Sequence, residues 1–314
     1  MPAAASITPW HWAGFVGCVL VFLALDLGVF HRKAHVVSFK EALGWTAVWV
    51  SLALSFGLLI APAVLPHWEL KQTVEFITGY IIELSLSMDN VFVIALIFAH
   101  FHVPARYQHR VLFWGILGAL VMRGAMIWLG VELIQRFDWL LVALGAFLVF
   151  SGLKMVFTQE QESDPEKNLA VRFTRKFFPV TTEFDGEKFV TRLTGALALT
   201  PLALVLVLVE TTDLIFALDS IPAIFAVTQD AFIVFTSNVF AILGLRSLYF
   251  VLAGAIQYFR YLKVGLSIVL VFIGLKMVIA KYLHIPTPLS LGVVVTIITG
   301  SILLSIRATR RKKA

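Results

Sequence analysis

Cysteine is all but missing. The one thiol, Cys18, lies inside an apolar run, so neither an internal disulfide nor a cysteine-built metal site can form. Charge is scarce as well: 14% of the 314 residues are charged, where a soluble domain carries about 25%. No lysine or arginine precedes Arg32. A cleaved secretory signal wants a positive n-region, so the first apolar segment reads as a retained helix. No Gly-x-x-x-x-Gly-Lys loop occurs, which argues against direct ATP drive. What remains is apolar, 60% hydrophobic with a mean hydropathy of +0.91. A soluble monomer so composed would expose large apolar patches, which monomers rarely do. A polytopic membrane protein satisfies these numbers directly. Ordinary soluble enzymes, secreted disulfide scaffolds and disordered regulators are excluded.

The formal charge of +6 and the pI near 9.5 do not point to nucleic acid. The basic residues gather at the ends of apolar runs and in the tail Arg310, Arg311, Lys312, Lys313, which is how a membrane protein marks its cytoplasmic side. About nine apolar segments approach the roughly 20 residues a spanning helix needs: 10–30, 42–66, 74–100, 110–134, 138–157, 194–219, 231–257, 261–283 and 287–307. The expected fold is therefore an all-α polytopic membrane bundle. Lys40, Arg106, Arg110, the basic residues of the 158–193 loop, Arg260, Lys263 and the tail fall on one side of that scheme, against Lys71, Arg136 and Lys281 on the other. The bias predicts an inner (plasma) membrane protein with its N-terminus outside and its C-terminus in the cytoplasm. The loop's first half, 159–167, is acidic. Its second half, Val171 to Phe178, mixes basic and aromatic residues and reads either as a helix on the anionic leaflet or as a solvated linker.

The chain repeats itself. Leu148-Val149-Phe150-Ser151-Gly152-Leu153-Lys154-Met155-Val156 recurs 122 residues later as Leu270-Val271-Phe272-Ile273-Gly274-Leu275-Lys276-Met277-Val278. Upstream, Ile116-Leu117-Gly118 with Arg123 echoes Ile242-Leu243-Gly244 with Arg246, and Glu83 and Asp89 echo Asp213 and Asp219. With three spans per unit the two copies run in opposite directions, an arrangement recurrent in secondary transporters. The expected organisation is an N-terminal pair of helices over 1–72, repeat one over 73–157, a cytoplasmic loop over 158–193, repeat two over 194–283, and a last helix with the basic tail over 284–314.

Five acids, Glu83, Asp89, Glu210, Asp213 and Asp219, lie inside predicted spans. Each costs about 2.5–3.5 kcal/mol at mid-membrane, on the order of 15 kcal/mol together, unless partners, a cation or protons compensate. Arg123 and Arg246, read as corresponding positions of the repeat, leave three charges unbalanced. A divalent cation reduces that to one. Glu83, Ser87 and Asn90 share a helical stripe, as do Glu210, Asp213 and Ser220; Asp89 and Asp219 fall off those stripes. Either each helix presents polar groups on two sides, or it is unwound near the aspartate, which Pro222 favours in the second copy because it leaves the Leu218 carbonyl free. Asp26 joins the network or faces water.

The donors are all oxygen, including the Asn90 amide and the hydroxyls of Ser87, Thr211, Thr212 and Ser220. That set suits Mn²⁺, Mg²⁺ or Ca²⁺ and argues against Cu(I) and a typical zinc site. The opposing reading is an acid–arginine network that only fixes helix packing. Lys154 and Lys276 read as snorkelling, His100, His102 and His109 as interfacial, and Trp10, Trp12, Trp45, Trp68 and Trp139 as an aromatic belt.

At Glu83-Leu84-Ser85-Leu86-Ser87-Met88-Asp89-Asn90 and at Glu210 through Pro222 the sequence resembles the TerC family of integral membrane proteins. The likeness continues through Thr236-Ser237-Asn238 and Ala241 to Ser247, and through Leu25-Asp26-Leu27-Gly28-Val29-Phe30-His31. It implies an exporter built from inverted three-helix repeats that moves Mn²⁺ out of the cytoplasm, with no tightly bound cofactor and no nucleic-acid partner. Asp89 and Asp219 would be the foremost ligands. Asn90, Glu83, Glu210, Asp213 and Ser220 would complete or gate the site, with Asp26 and Pro222 as gating positions, and Arg123 and Arg246 would hold the acids when no metal is bound. Family links to tellurite resistance read as indirect, since an acid-lined path repels an anion. Two rival expectations are an intramembrane aspartyl protease using Asp89 and Asp219 and a membrane scaffold that transports nothing.

Overall fold

The computed structural model describes residues 7–25, 38–137, 139–157, 168–193, 196–253, 261–280, 282–283 and 285–313. Asp26, Arg32, Lys33, the acidic half of the long loop, Arg260 and Lys281 lie outside them. Apolar runs fold as helices in lipid because nothing else can satisfy their backbone groups. Among the described residues ten helices follow in order: α1 (Pro9–Leu25), α2 (Phe39–Val64), α3 (Leu70–His100), α4 (Ala105–Arg136), α5 (Trp139–Phe157), α6 (Leu169–Phe177), α7 (Pro201–Phe225), α8 (Ala231–Ala253), α9 (Leu262–Ile279) and α10 (Thr287–Lys313). The chain is an all-α polytopic membrane bundle. Seven of the helices are long and apolar enough to cross a bilayer, and Pro9–Ala24 and Trp139–Met155 are shorter apolar helices.

Local chemistry sets the helix ends. Ser38 caps α2 by accepting from the Glu41 backbone N–H, and Glu69 and Gln72 form a capping box on α3. Asp230 caps α8 through the N–H groups of Phe232 and Ile233. Inside α2, Phe56–Ile60 widens into a π turn just ahead of Pro62, whose ring crowds the carbonyl one turn back. Thr73 of α3 donates to the carbonyl of Gly57 in that turn at 3.0 Å, and Trp68 donates to Thr73 at 2.9 Å. Trp68 is thus buried and hydrogen-bonded, whereas Trp10 and Trp139 are exposed as belt residues should be.

The span expected at 194–219 is displaced. Residues 196–199 are not helical; Val190–Leu193 (β1) and Ala196–Leu199 (β2) pair antiparallel, Val190 opposite Leu199. The helix starts only at Pro201, which suits a first-turn position, and runs to Phe225. It passes through Pro222 without unwinding. The proline sits in the last turn, and its own carbonyl still accepts from Ala226 at 3.2 Å, so the helix loses one bond and keeps its path. The hairpin region is tied down at several points. Arg110 of α4 pairs with Glu187 at 3.1 Å, and Thr200 donates to the Lys188 carbonyl at 2.7 Å. Asp185 accepts from Thr191 and Lys188, which together hold its carboxyl below the usual carboxylate range.

Helix α8 is the most enclosed of the seven long spans, with 89% of its apolar window buried, against 28% for the outer helices α2 and α10. It packs on α3, α2 and α4, while α7 packs on α3 and α4. The most extensively packed helix pair among the described residues is α5 with α9, and the recurring segment lies at its contact. A Cβ on Gly152 would meet the Ser267 carbonyl oxygen at 2.9 Å, and one on Gly274 would meet the Gly145 carbonyl oxygen at 2.6 Å. These are reciprocal positions: 145 and 267, like 152 and 274, are 122 residues apart. Ser267 Oγ also donates to the Gly152 carbonyl at 2.7 Å. Backbone cannot step aside as a side chain can. Gly274→Ala is therefore expected to destabilise the protein by about 1–3 kcal/mol, read as a lower melting temperature in detergent. Gly292→Ala, where nothing lies within 4 Å of the added carbon, should not lower it, since alanine is the better helix former.

Candidate cation site

Four helices bring the polar stripes together in the middle of the bundle. Helix α3 supplies Glu83, Ser87 and Asn90 on successive turns, α4 supplies Arg123, α7 supplies Asp213 and Ser220, and α8 supplies Asn238. All seven are buried; Glu83 is 0% exposed, Arg123 2% and Asp213 4%. Arg123 is the hub. Its Nε donates to Asp213 Oδ2 at 3.1 Å and its Nη2 to Asp213 Oδ1 at 2.8 Å, a two-pronged pair. Its Nη1 donates to Glu83 Oε1, to Asn238 Oδ1 at 3.0 Å and to Ser220 Oγ at 3.5 Å. Ser87 donates to Glu83 at 3.2 Å, and Asn90 donates to Asp213 Oδ1 at 2.8 Å.

Glu83 and Asp213 hold matching places in the recurrence, 130 residues apart, and one guanidinium joins them. The two arginines are not equivalent in register. Arg123 stands five residues beyond Gly118, and Arg246 two beyond Gly244. Arg246 is buried on α8, but the acid pair is built on Arg123.

Glu210 sits one turn before Asp213, half-buried, with its carboxylate in the space over Gly118 of α4. A side chain at Gly118 would occupy that space. Asp89 and Asp219 are half-buried on other faces of their helices, and Asp219 accepts from Ser151 of α5 at 2.7 Å. Both helices are continuous, so polar groups on two sides, rather than an unwound turn, account for the off-stripe aspartates. The acids therefore fall into an arginine-bound inner pair and outlying carboxylates.

Three buried oxygens of this region have no hydrogen-bond donor: Glu83 Oε2, Asn90 Oδ1 and Glu210 Oε2. Buried acceptors ordinarily find a donor, so each asks for a proton, a water or a cation. Among the described residues, no three His, Cys, Asp or Glu side chains converge as a metal cluster. The donor set is mixed, with amide and hydroxyl oxygens beside the carboxylates, and fits a hard divalent ion in kind.

Asn238, Ser151 and Gly118 have roles that counting acids does not reveal; the cue for Asn238 is the polar run Thr236-Ser237-Asn238 inside a spanning segment. Lys276 does not snorkel. It is 9% exposed, near Glu75, whereas Lys154 is exposed. His100 and His102 are exposed and His109 is half-buried.

The sequence profile of the Integral membrane protein TerC family matches residues 68–313. The chain is 53% identical over 305 residues to "Uncharacterized membrane protein STKORF319" of Myxococcus xanthus, covering 96% of this chain and 94% of the relative. It is 48% identical over 309 residues to "Putative membrane-bound redox modulator Alx" of Escherichia coli, covering 95% and 94%. A protein of the same name in Photorhabdus laumondii is 43% identical over 316 residues, covering 97% of each chain. No solved structure matches.

Proposed function

The chain belongs to the integral membrane protein TerC family, and from that premise we propose that it is a secondary transporter exporting a hard divalent cation, Mn²⁺ foremost and Ca²⁺ next, across the bacterial plasma membrane, with its N-terminus outside and its C-terminus in the cytoplasm. The observation that carries the reading is the trio of buried acceptor oxygens without donors, all on residues of the acidic stripes. A fold that needed these acids only for packing would satisfy them internally. The reciprocal glycine contacts of α5 and α9 and the matched places of Glu83 and Asp213 support two inverted three-helix units facing each other, the setting in which transporters carry their sites.

In this reading Arg123 stands in for the cargo. It pairs with both Glu83 and Asp213 while no metal is bound, offsetting one of their two charges, and yields them when a metal enters. Asp89 and Asp219 receive the ion on either side of that pair. A carboxylate that surrenders Mn²⁺ inside hydrocarbon needs another positive charge, and Arg123 or a proton provides it, so proton exchange is the natural coupling. The redox role in the name of the Escherichia coli and Photorhabdus relatives fits as an indirect one. Export of a redox-active metal alters redox balance, while a chain with a single cysteine forms no thiol pair of its own.

One observation favours a second reading. The Arg123 cluster is geometrically complete around Asp213, as a structural acid–arginine network would be. Mn²⁺ flux into vesicles reconstituted with the purified chain separates the two. Asp89→Asn and Asp219→Asn should each reduce flux to the level of empty vesicles. Unchanged flux in both would remove them from the pathway, and absence of flux in the parent protein at every pH would leave the network purely structural.

A further inference from the structure

Helix α6 is amphipathic in an unusual way. Val171 and Thr174 are buried, and the helix packs on α7. Leu169, Phe173 and Phe177, spaced four apart along one stripe, are all exposed, and the two phenylalanine rings touch with centroids 4.4 Å apart, tilted at 47°. Arg172, Arg175 and Lys176 are exposed on the same short helix. Where α6 ends, a cavity of about 500 Å³ opens, bounded by Arg175, Phe178, Thr182 and Phe184 and by the ends of two spanning helices at Phe101 and Leu204. Among the described residues, Arg175 is the only charged one in its lining. Phe178 belongs both to the cavity and to the exposed apolar surface.

One cation beside the hydroxyls of Thr181 and Thr182, in a cavity that aromatic and apolar side chains complete and that opens to an apolar stripe at the ends of membrane spans, is complementary to a molecule with one anionic group and a long apolar body. We propose that this cavity binds an anionic phospholipid, with its phosphate at Arg175 and an acyl chain along Phe178, Phe177 and Phe173. A soluble anion would match Arg175 but gain nothing from the stripe. The site stands apart from the acidic centre and does not depend on what that centre carries.

Native mass spectrometry of the purified full-length chain in detergent tests this, with phosphatidylglycerol, phosphatidylcholine or inorganic phosphate added. The parent protein should retain phosphatidylglycerol about tenfold more than phosphatidylcholine, the scale of one charge-assisted hydrogen bond. Arg175→Gln should abolish that preference, as should Thr182→Trp, which fills the cavity. Arg172→Gln, which removes a charge outside the cavity, should keep it. Equal melting temperatures establish that each variant is folded. Retained preference in Arg175→Gln or Thr182→Trp overturns the site. Equal loss in Arg172→Gln reduces it to diffuse surface charge, and displacement of the lipid by equimolar inorganic phosphate overturns the lipid assignment.

Discussion

Arg123→Met should destabilise the protein by about 3–5 kcal/mol, because it leaves two carboxylates facing each other in hydrocarbon with no counter-charge. The lost side chain donates to Asp213 twice and to Glu83, Asn238 and Ser220 once each. In detergent this should appear as a fall in melting temperature on the order of 10 °C. Removing one of the stranded charges, as in Glu83→Gln with Arg123→Met, should recover part of it. Both readings of the cluster share these outcomes. They part on what Mn²⁺ does next. If the guanidinium occupies the place of a cation, Mn²⁺ should raise the melting temperature of Arg123→Met more than that of the parent protein, since a ligand stabilises in proportion to its affinity for the folded state and its competitor is gone. An equal effect of Mn²⁺ on both proteins would make Arg123 a brace and nothing more.

The second large effect is expected at Asp213. Asp213→Asn keeps the shape and one acceptor oxygen but removes the charge at which Arg123 and Asn90 converge. Mn²⁺ flux should fall about 10- to 100-fold, the worth of one hydrogen bond to a charged group expressed as a ratio. Asn238→Ala provides the contrast. It frees one Arg123 proton without touching an acid, so flux should persist while stability drops by about 1–3 kcal/mol. A variant pair with the opposite ranking would shift the pathway away from the inner acids.

Much of the fold was readable because lipid allows so few backbone solutions: among the described residues each expected apolar run contains a helix, not always with the expected bounds, and the helices follow in the order of the hydropathy. The stripe Glu83, Ser87, Asn90 was readable too, since helical periodicity alone puts those residues in line, and the structure joins Ser87 to Glu83 and Asn90 to the facing helix. Other features had no such cue. Ala196-Leu197-Ala198-Leu199 runs straight into a spanning segment, so composition cannot distinguish strand from helix there; the boundary is made by Thr200 and Pro201. Pro222 looked like a break, but its position three residues from the helix end confines its effect to one turn. Lys276 matches Lys154 in the recurrence, yet one is enclosed beside Glu75 and the other meets the surroundings, because burial depends on which neighbours a helix acquires. The three-residue slip between Arg123 and Arg246 likewise shows that a shared segment does not guarantee shared partners.

The contact of α5 with α9 has a mechanical consequence. Where Gly152 and Gly274 lie against opposing carbonyls, the two backbones come close and the side chains of Val149, Val271 and Met277 close in around the glycines, with the Ser267 hydroxyl bridging to Gly152. Such a seam resists both separation and sliding, because every displacement drives backbone or a branched side chain into its neighbour. The two helices should therefore travel as one rigid rod in any motion of the bundle.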